Sequence, residues 1–468
     1  MPCSKLCRAS KVSQLAISKY ELYMKKSLFC LLVGLLSAAG MWGQHKWTLD
    51  ECLNYALENN LSLKQTKIQA ESSSEDEAQS KANLFPTVSA STSHSLSYRP
   101  FSEVTTQLSN GTLTSSQSET SFNGTYGINA SWTVWNGGKL QKNVKKAGMT
   151  REIAELSVQE TANTIQEQIT QLYIQILYEA EALSVDSAVL EAAKLQRDVA
   201  AARVEIGDMA KVDLSQLEAQ VAQDQLSLVQ AQTQLASYKL QLKQLLEIDG
   251  DAEFDVALPT VDDARVLQLL PTTREVYEAA LEVRPEIKSS QIDIQSADLD
   301  ISIARAGYMP TISLSAGVNS SWMNGSGSAW AEQIKKNLSI SPSISLSIPI
   351  WDGRDTKTSI RKAKLAKETS TLQLQSEQKE LWSTIENYHL NAETAQARYN
   401  ASVASVDANQ ESYDLLSEQF RLGLKNIVEL TTGKNDLLEA KQSLLESKYT
   451  ALYNMAMLRF YKGEVIEL

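Results

Sequence analysis

The sequence predicts a mainly α-helical protein with a small β part, built from a duplicated unit of helix, strand, strand and long helix. Three observations indicate this fold class. The chain overlays itself at a nearly constant shift, four segments alternate between apolar and hydroxyl residues, and long stretches lack proline. A period of two is typical of strands, and proline-free segments rich in Ala, Gln, Leu, Glu and Lys are typical of long helices.

The duplication is visible as matched segments. When the chain is shifted along itself, Ala56-Leu57-Glu58 meets Ala280-Leu281-Glu282, and at the same shift "FPTVSAS" at 85–91 meets "MPTISLS" at 309–315. Further along, the shift becomes slightly shorter, and "WNG" at 135–137 meets "WDG" at 351–353. A chance likeness of helical patterns would not keep one offset over such distances, so we expect one unit written twice.

The two repeats, the segment between them and the N-terminal region divide the chain into four parts. We expect a signal peptide region at 1–43, a first repeat at 44–245, an inter-repeat segment at 246–273 and a second repeat at 274–468. The basic start at Met24 and the apolar run that follows it are typical of an export signal cleaved before Gln44. The alternative is a transmembrane anchor, but the apolar run is shorter than the roughly 20 residues that span a bilayer.

Composition excludes several classes of function. The chain has 44 Lys and Arg against 56 Asp and Glu, a net charge of -12, which argues against nucleic-acid binding. Only Cys52 would remain after cleavage, and His45, His94 and His389 are too far apart in sequence to suggest a metal site. Serine, histidine and acidic residues form no recognisable catalytic motif. We therefore expect no enzyme activity, no cofactor and no bound metal.

Each repeat has the same order of elements. An amphipathic helix comes first, at about 49–83 and about 274–307. The four strands are expected at about 86–98, 124–135, 310–322 and 339–351. A helix of about 68 residues follows in each repeat and would be about 100 Å long, which requires coiled-coil packing against partner helices. A glycine interrupts each long helix, and a returning helix closes the unit.

The last strand shows the alternation most clearly. Every odd position from 339 to 347 is Ser, whereas the even positions are Ile, Leu or Pro. Such a strand suits a soluble sandwich or a membrane barrel with its apolar face toward lipid. In the second case Ile344, Leu346 and Ile348 face lipid, and Ser343, Ser345 and Ser347 face the lumen. Aromatic residues at the strand ends, typical of barrel girdles, are Tyr98, Trp135, Trp322 and Trp351.

Four strands cannot close a membrane barrel, because an open edge in lipid leaves backbone groups without hydrogen bonds. Strands placed in a membrane would therefore have to be shared between chains. Two copies would supply eight strands and three copies would supply twelve.

The ordered set of motifs resembles the TolC family of outer-membrane efflux channels. It comprises the duplicated unit, the Pro-led strands, the "WNG" and "WDG" junctions, and the turns in "RVEIGDMAKVDL" at 203–214 and "FRLGLKNIVEL" at 420–430. The resemblance implies a homotrimer, with a twelve-stranded barrel in the outer membrane and a helical tunnel across the periplasm. It also implies an inner-membrane pump and a periplasmic adaptor as partners, and cargo that ranges from drugs and metal ions to proteins.

The resemblance also implies the site residues. The tip turns fall at about 207–211 and about 423–427, and the segment 246–273 matches the collar around the tunnel. Residues matched to the closed tip and the adaptor contact are Gly207, Asp213, Phe420, Gly423, Lys425 and Glu429. Phe420 falls where a gate tyrosine can occur and lacks its hydroxyl. Asp213 and Lys425 are expected to pair and hold the aperture shut, or else to be solvated helix-end charges.

The predicted function is the outer-membrane exit duct of a tripartite efflux or type I secretion system. Such a duct is passive and takes its energy from a partner pump. The alternative is a secreted or surface coiled-coil structural or adhesive protein, which would explain the helices but not the four alternating strands.

Overall fold

The computed structural model describes residues 46–101, 105–109, 112–116, 120–259 and 262–466. The predicted signal peptide region and the start at Met24 lie outside these residues. The described helices are α1 (Leu49–Asn59), α2 (Leu61–Ala82), α3 (Lys139–Glu205), α4 (Lys211–Leu245), α5 (Asp263–Val266), α6 (Thr273–Val283), α7 (Pro285–Arg305), α8 (Trp330–Lys336), α9 (Asp355–Arg421) and α10 (Ile427–Lys462). The described strands are β1 (Lys46–Trp47), β2 (Thr87–Tyr98), β3 (Thr105–Ser109), β4 (Thr112–Ser116), β5 (Thr120–Trp135), β6 (Asp255–Val256), β7 (Thr311–Met323) and β8 (Ser339–Ser347).

Two long helical hairpins dominate the structure. Helices α3 and α9 each have 67 residues, so each is about 100 Å long. Helices α4 and α10 return along them after short turns, as predicted. The main core lies midway along the hairpins, where Ile169, Tyr173 and Ile176 of α3 pack in one cluster with Leu452 and Met457 of α10. Within the described ranges, no helix combines the length and the apolar character needed to cross a membrane.

The amphipathic helix expected at 49–83 is two helices, α1 and α2, that meet at Asn60. The side chain of Asn60 accepts a hydrogen bond from the Leu63 backbone N–H (3.1 Å) and donates one to the Leu245 carbonyl (3.0 Å). An Asn that caps a helix start competes with helix continuation, because its side chain replaces a backbone partner. The expectation of one continuous helix was therefore wrong.

The helix expected at 274–307 is interrupted in the same way, at Arg284. Pro285 occupies the first turn of α7, and the residue before a proline is disfavoured in helical conformation. Arg284 is buried, with its guanidinium 3.6 Å from the ring centre of Tyr461 and 3.3 Å from a Glu167 carboxylate oxygen. The break thus places a cation between α3 and the end of α10.

Four strands form one antiparallel sheet in the order β2-β5-β7-β8. The register pairs even residues with even residues, as in the row Val88, Ala130, Ala316 and Pro342. Large apolar side chains therefore share one face, and Ser, Thr, Asn and Gly residues share the other. This confirms the predicted alternation. Within one chain Pro342 is tolerated because β8 is a terminal strand of the sheet, where a missing N–H can point away from β7.

The last strand is shorter than predicted. It was expected to reach position 351, but β8 ends at Ser347, so Ile348 and Trp351 lie beyond it. Pro349 follows immediately and cannot donate a backbone hydrogen bond to a neighbouring strand. In addition, β5 begins at Thr120, and helix α8 was not predicted.

The segment between the repeats is attached to the middle of the first hairpin. Strand β6 pairs in parallel with β1, and the Tyr173 hydroxyl of α3 donates to the Ala257 carbonyl (2.7 Å). The Lys243 ammonium of α4 donates to the carbonyls of Gly250 (2.7 Å) and Ala252 (2.5 Å). These contacts place the segment outside the long helices, about halfway along them.

Candidate functional site

The first tip turn joins α3 to α4 through a left-handed glycine. Gly207 has φ +81°, and the Asp208 N–H donates to the Arg203 carbonyl (2.8 Å), which ends the helix. A Cβ at Gly207 would meet no atom within 4 Å. The requirement for glycine is therefore conformational rather than steric, because other L-residues rarely adopt this φ.

The second tip turn repeats this geometry between α9 and α10. Gly423 has φ +73°, and the Leu424 N–H donates to the Gln419 carbonyl (2.9 Å). Helix α10 then begins with a capping box in which Asn426 accepts from the Glu429 N–H (3.0 Å) and Glu429 accepts from the Asn426 N–H (3.3 Å). Both glycines predicted for the turns thus lie where two 67-residue helices reverse direction.

The charged residues of the second turn pair with each other. The Lys425 ammonium lies 2.7 Å from a Glu429 carboxylate oxygen. This hydrogen bond, together with the Asn426 N–H, lowers the pKa of Glu429, so the contact is lost as the pH falls through that lowered value. Lys425 is therefore not joined to Asp213 within the chain. Asp213 lies in the first turn of α4 and forms no ion pair with another described residue.

Arg203 connects the two turns, a role that was not predicted. Its Nε donates to Asp208 (2.8 Å), and its Nη1 lies 3.5 Å from each of the carbonyl oxygens of Phe420 and Arg421. A cation in the last turn of a helix interacts favourably with unpaired carbonyls, and here it reaches the carbonyls of the neighbouring helix. The only sequence signal for this role is the position of an arginine four residues before a turn glycine.

Phe420 belongs to a small core at the tip rather than to an open aperture within one chain. It packs against a cluster that contains Ala200 of α3, Leu217 of α4, and Ile427 and Leu430 of α10. The tip core therefore holds both hairpins together just before their turns. The predicted role of Phe420 at a gate stays a prediction.

Apolar side chains are exposed at both turns. Ile206 is 78% exposed before the first glycine, and Leu422 is 59% exposed before the second. Val212 and Val428 follow the glycines at matching distances and are 75% and 55% exposed. Exposed apolar residues clustered at one end of a molecule are typical of a docking surface.

The four predicted girdle aromatics lie at the two ends of the sheet. Trp322 packs edge-on against Phe122, with ring centres 5.0 Å apart, and lies over Gly124, where a Cβ would collide with its ring. Tyr98 ends β2 at the same end of the sheet. At the opposite end, a bulge in β5 places Trp135 opposite Ile312 of β7. Along β7, Ile312 and Trp322 are about 33 Å apart at about 3.3 Å per residue. Trp351 is 88% exposed, beyond the end of β8.

The described residues contain no cluster of three or more His, Cys, Asp or Glu side chains arranged to hold a metal. The functional geometry is instead a sheet with one apolar face and two long hairpins that lie side by side with their turns together. The sequence profile of the outer membrane efflux proteins matches residues 52–247 and 276–464.

The chain belongs to the outer membrane efflux protein family. It is 22% identical to the outer membrane protein TolC of Salmonella enteritidis over 71% of this chain and 66% of that protein. It is 24% identical to TolC of Escherichia coli K12 over 71% of this chain and 67% of that protein. The chain thus spans about two thirds of the length of these relatives.

The fold matches that of solved outer membrane channels. The CmeC channel of Campylobacter jejuni superposes with a TM-score of 0.74, covering 89% of this chain and 85% of that chain at 17% identity. An efflux family protein whose relatives are named outer membrane proteins is itself an outer membrane protein, which confirms the predicted family and localisation.

A charge change tests the tip prediction. Lys425→Glu would place two carboxylates one helical turn apart, next to the Asp213 turn, and like charges at this spacing are destabilising. We expect a higher single-channel conductance in a planar bilayer, and the same for Asp213→Lys. The double variant with swapped charges should partly restore closure. Unchanged conductance in both single variants would exclude a charge lock at the tip.

Proposed function

We propose that three copies of this chain form a passive export duct across the outer membrane and the periplasm. The observation that carries the proposal is the sheet. One of its faces is apolar, the other is uncharged and hydroxyl-rich, and β2 and β8 are its terminal strands. An apolar face suits lipid, a hydroxyl face suits a water-filled lumen, and terminal strands suit pairing with a neighbouring copy.

The proposed lumen face has no charged side chain among the described strands. The odd positions of β2, β5, β7 and β8 up to the bulge carry Ser, Thr, Asn or Gly, apart from Met323. Such a lining would bind water without selecting the charge of a solute. The duct itself would carry out no catalysis and need no cofactor, and energy and cargo choice would come from an inner-membrane pump.

We place the contact with a periplasmic adaptor at the tip turns. Each turn offers an exposed apolar residue before its glycine and another after it, so each chain would present two similar docking points. Three chains would present six. The alternative of a secreted coiled-coil adhesive protein accounts for neither the amphipathic sheet nor the membership in an efflux family.

The number of copies tests the proposal. A barrel of twelve strands requires three chains, because each chain supplies four strands. Native mass measurement in mild detergent should therefore give a mass three times that of the mature chain. Heating in detergent should convert this species to monomer, because closed barrels resist the detergent until they are unfolded. A stable folded monomer that inserts alone into lipid would contradict the proposal.

A further inference from the structure

A buried ion pair joins the two hairpins above the tip. The Lys434 ammonium of α10 lies 2.9 and 2.7 Å from the two carboxylate oxygens of Asp224 on α4. The two side chains are only 7% and 9% exposed. Two other ion pairs near the tip differ, since Lys425–Glu429 and Glu418–Arg421 each join residues three or four positions apart in sequence and are exposed.

Further polar groups face the pair from the same helices and from α3. The Gln220 side chain on α4 donates to Asp224 (2.8 Å). Asp186 of α3 also lies near the pair. Its pKa is raised, first by burial and then by the negative charge of Asp224, whereas a hydrogen bond with Gln442 lowers it. Lys434 therefore supplies the positive charge of a site shared by acidic groups from two helices.

The pair lies between two apolar clusters. Ile427 and Leu430 of α10 belong to the tip core, whereas Tyr449 and Leu452 belong to the main core farther along the same helix. Over their whole length, α4 and α10 make few close contacts with each other. The ion pair is thus the specific contact that aligns these two helices between the cores.

The pair is absent at the equivalent positions of the sequence repeat. Helices α4 and α10 begin at Lys211 and Ile427, which occupy equivalent positions in the two repeats. The shift that relates these two residues also relates Lys434 to Glu218 and Asp224 to Ala440, which cannot form an ion pair. The contact therefore distinguishes the interface within a chain from any equivalent interface between chains.

We propose that Asp224 and Lys434 form a register lock, which prevents α10 from sliding along α4 while allowing the two hairpins to swing apart. The physical reason is an asymmetry in hydration. Sliding by one turn would leave a buried charge without its partner, which is strongly unfavourable, whereas separation would let water reach both charges. The proposal rests on the proposed duct function, in which the tip must open and close again in the same register.

The experiment measures the distance between the two helices. Spin labels at Gln225→Cys and Asn435→Cys, two exposed positions beside the pair, are introduced into the detergent-solubilised full protein with Cys52→Ala. In a trimer whose labelled chains are diluted with unlabelled chains, the wild-type pair should give one narrow distance within a chain. Lys434→Met should broaden it or add a second distance displaced by a helical turn, about 5 Å along the axis.

Two further variants make the result decisive. In Asp224→Leu with Lys434→Met, both charges are removed together, so the protein should keep its thermal stability but still show the broadened distance. This variant carries the test if Lys434→Met alone fails to fold. Arg421→Met, which removes an exposed ion pair within α9, should leave the distance narrow.

The possible results distinguish a failure of the register lock from a failure of the proposed duct function. A single narrow distance in the double variant would overturn the register lock and leave the pair as ordinary packing. Broadened distances support the lock whether or not the protein conducts ions. Absence of conductance by the wild-type protein in a planar bilayer would instead count against the proposed duct.

Discussion

Leu346→Arg is expected to prevent assembly in the outer membrane, whereas Ser345→Arg is expected to assemble. Leu346 pairs with Ile312 on the apolar face, and its side chain is 60% exposed in the single chain. Arg on a lipid-facing strand position costs roughly 2–4 kcal/mol near the midplane of the bilayer. Each chain of a trimer would carry the substitution, so the total free-energy cost of insertion would be three times as large.

Ser345 is the matched control, since it is the neighbouring residue on the same strand and pairs with Ser313 on the opposite face. Arg at this position would project into the proposed lumen, where water can hydrate it. Three added cations should shift the reversal potential toward anion selectivity. The measurements are outer-membrane fractionation and planar-bilayer recording. Normal insertion of Leu346→Arg together with failure of Ser345→Arg would mean that the faces are reversed.

Arg203→Met is expected to open the tip. The side chain of Arg203 is 21% exposed and contacts Asp208 and two carbonyl oxygens of the neighbouring hairpin. Hydrogen bonds made by a charged group are worth about 1.5–3 kcal/mol each at normal length, and the two bonds to carbonyls are long, so we expect about 1–2 kcal/mol per chain. A change of about 1.4 kcal/mol shifts the closed–open equilibrium tenfold.

Arg421→Met provides the control for this prediction. Arg421 is also an arginine close to a turn glycine, but it pairs with Glu418 on its own helix and is largely exposed. Its loss should leave the conductance of the duct nearly unchanged. Equal conductance of the wild-type protein and Arg203→Met would show that Arg203 does not hold the two turns together.

The sequence was sufficient to predict the features that follow a simple period. Alternation in β8 predicted both faces of the strand, because Ser occupies every odd position from 339 to 347 and Ile, Leu or Pro every even one. Gly207 and Gly423 marked the helix reversals, because a left-handed residue is needed there and glycine adopts it without strain. The lengths of the long helices α3 and α9 were also predicted closely, since about 68 residues were expected and each helix has 67.

Features that depend on long-range contacts could not be predicted. The helix breaks at Asn60 and Arg284 have local causes, but the distant partners of these two side chains, Leu245 for the first and Glu167 for the second, could not be predicted. The Asp224–Lys434 pair joins residues 210 positions apart, and neither residue stands out from other charges on its helix. Lys425 was expected to meet Asp213, yet within the chain it pairs with Glu429, four residues later in the first turn of α10.

An electron cryomicroscopy structure of the purified protein in lipid nanodiscs would show directly whether three chains share one barrel. We expect three-fold symmetry and a closed barrel of twelve strands, in which β8 of one chain pairs with β2 of the next. The apolar faces should contact lipid, and the six tip turns should lie together at the far end of the helices. An eight-stranded barrel of two chains, or a sheet that stays outside the lipid, would contradict the proposed trimeric duct.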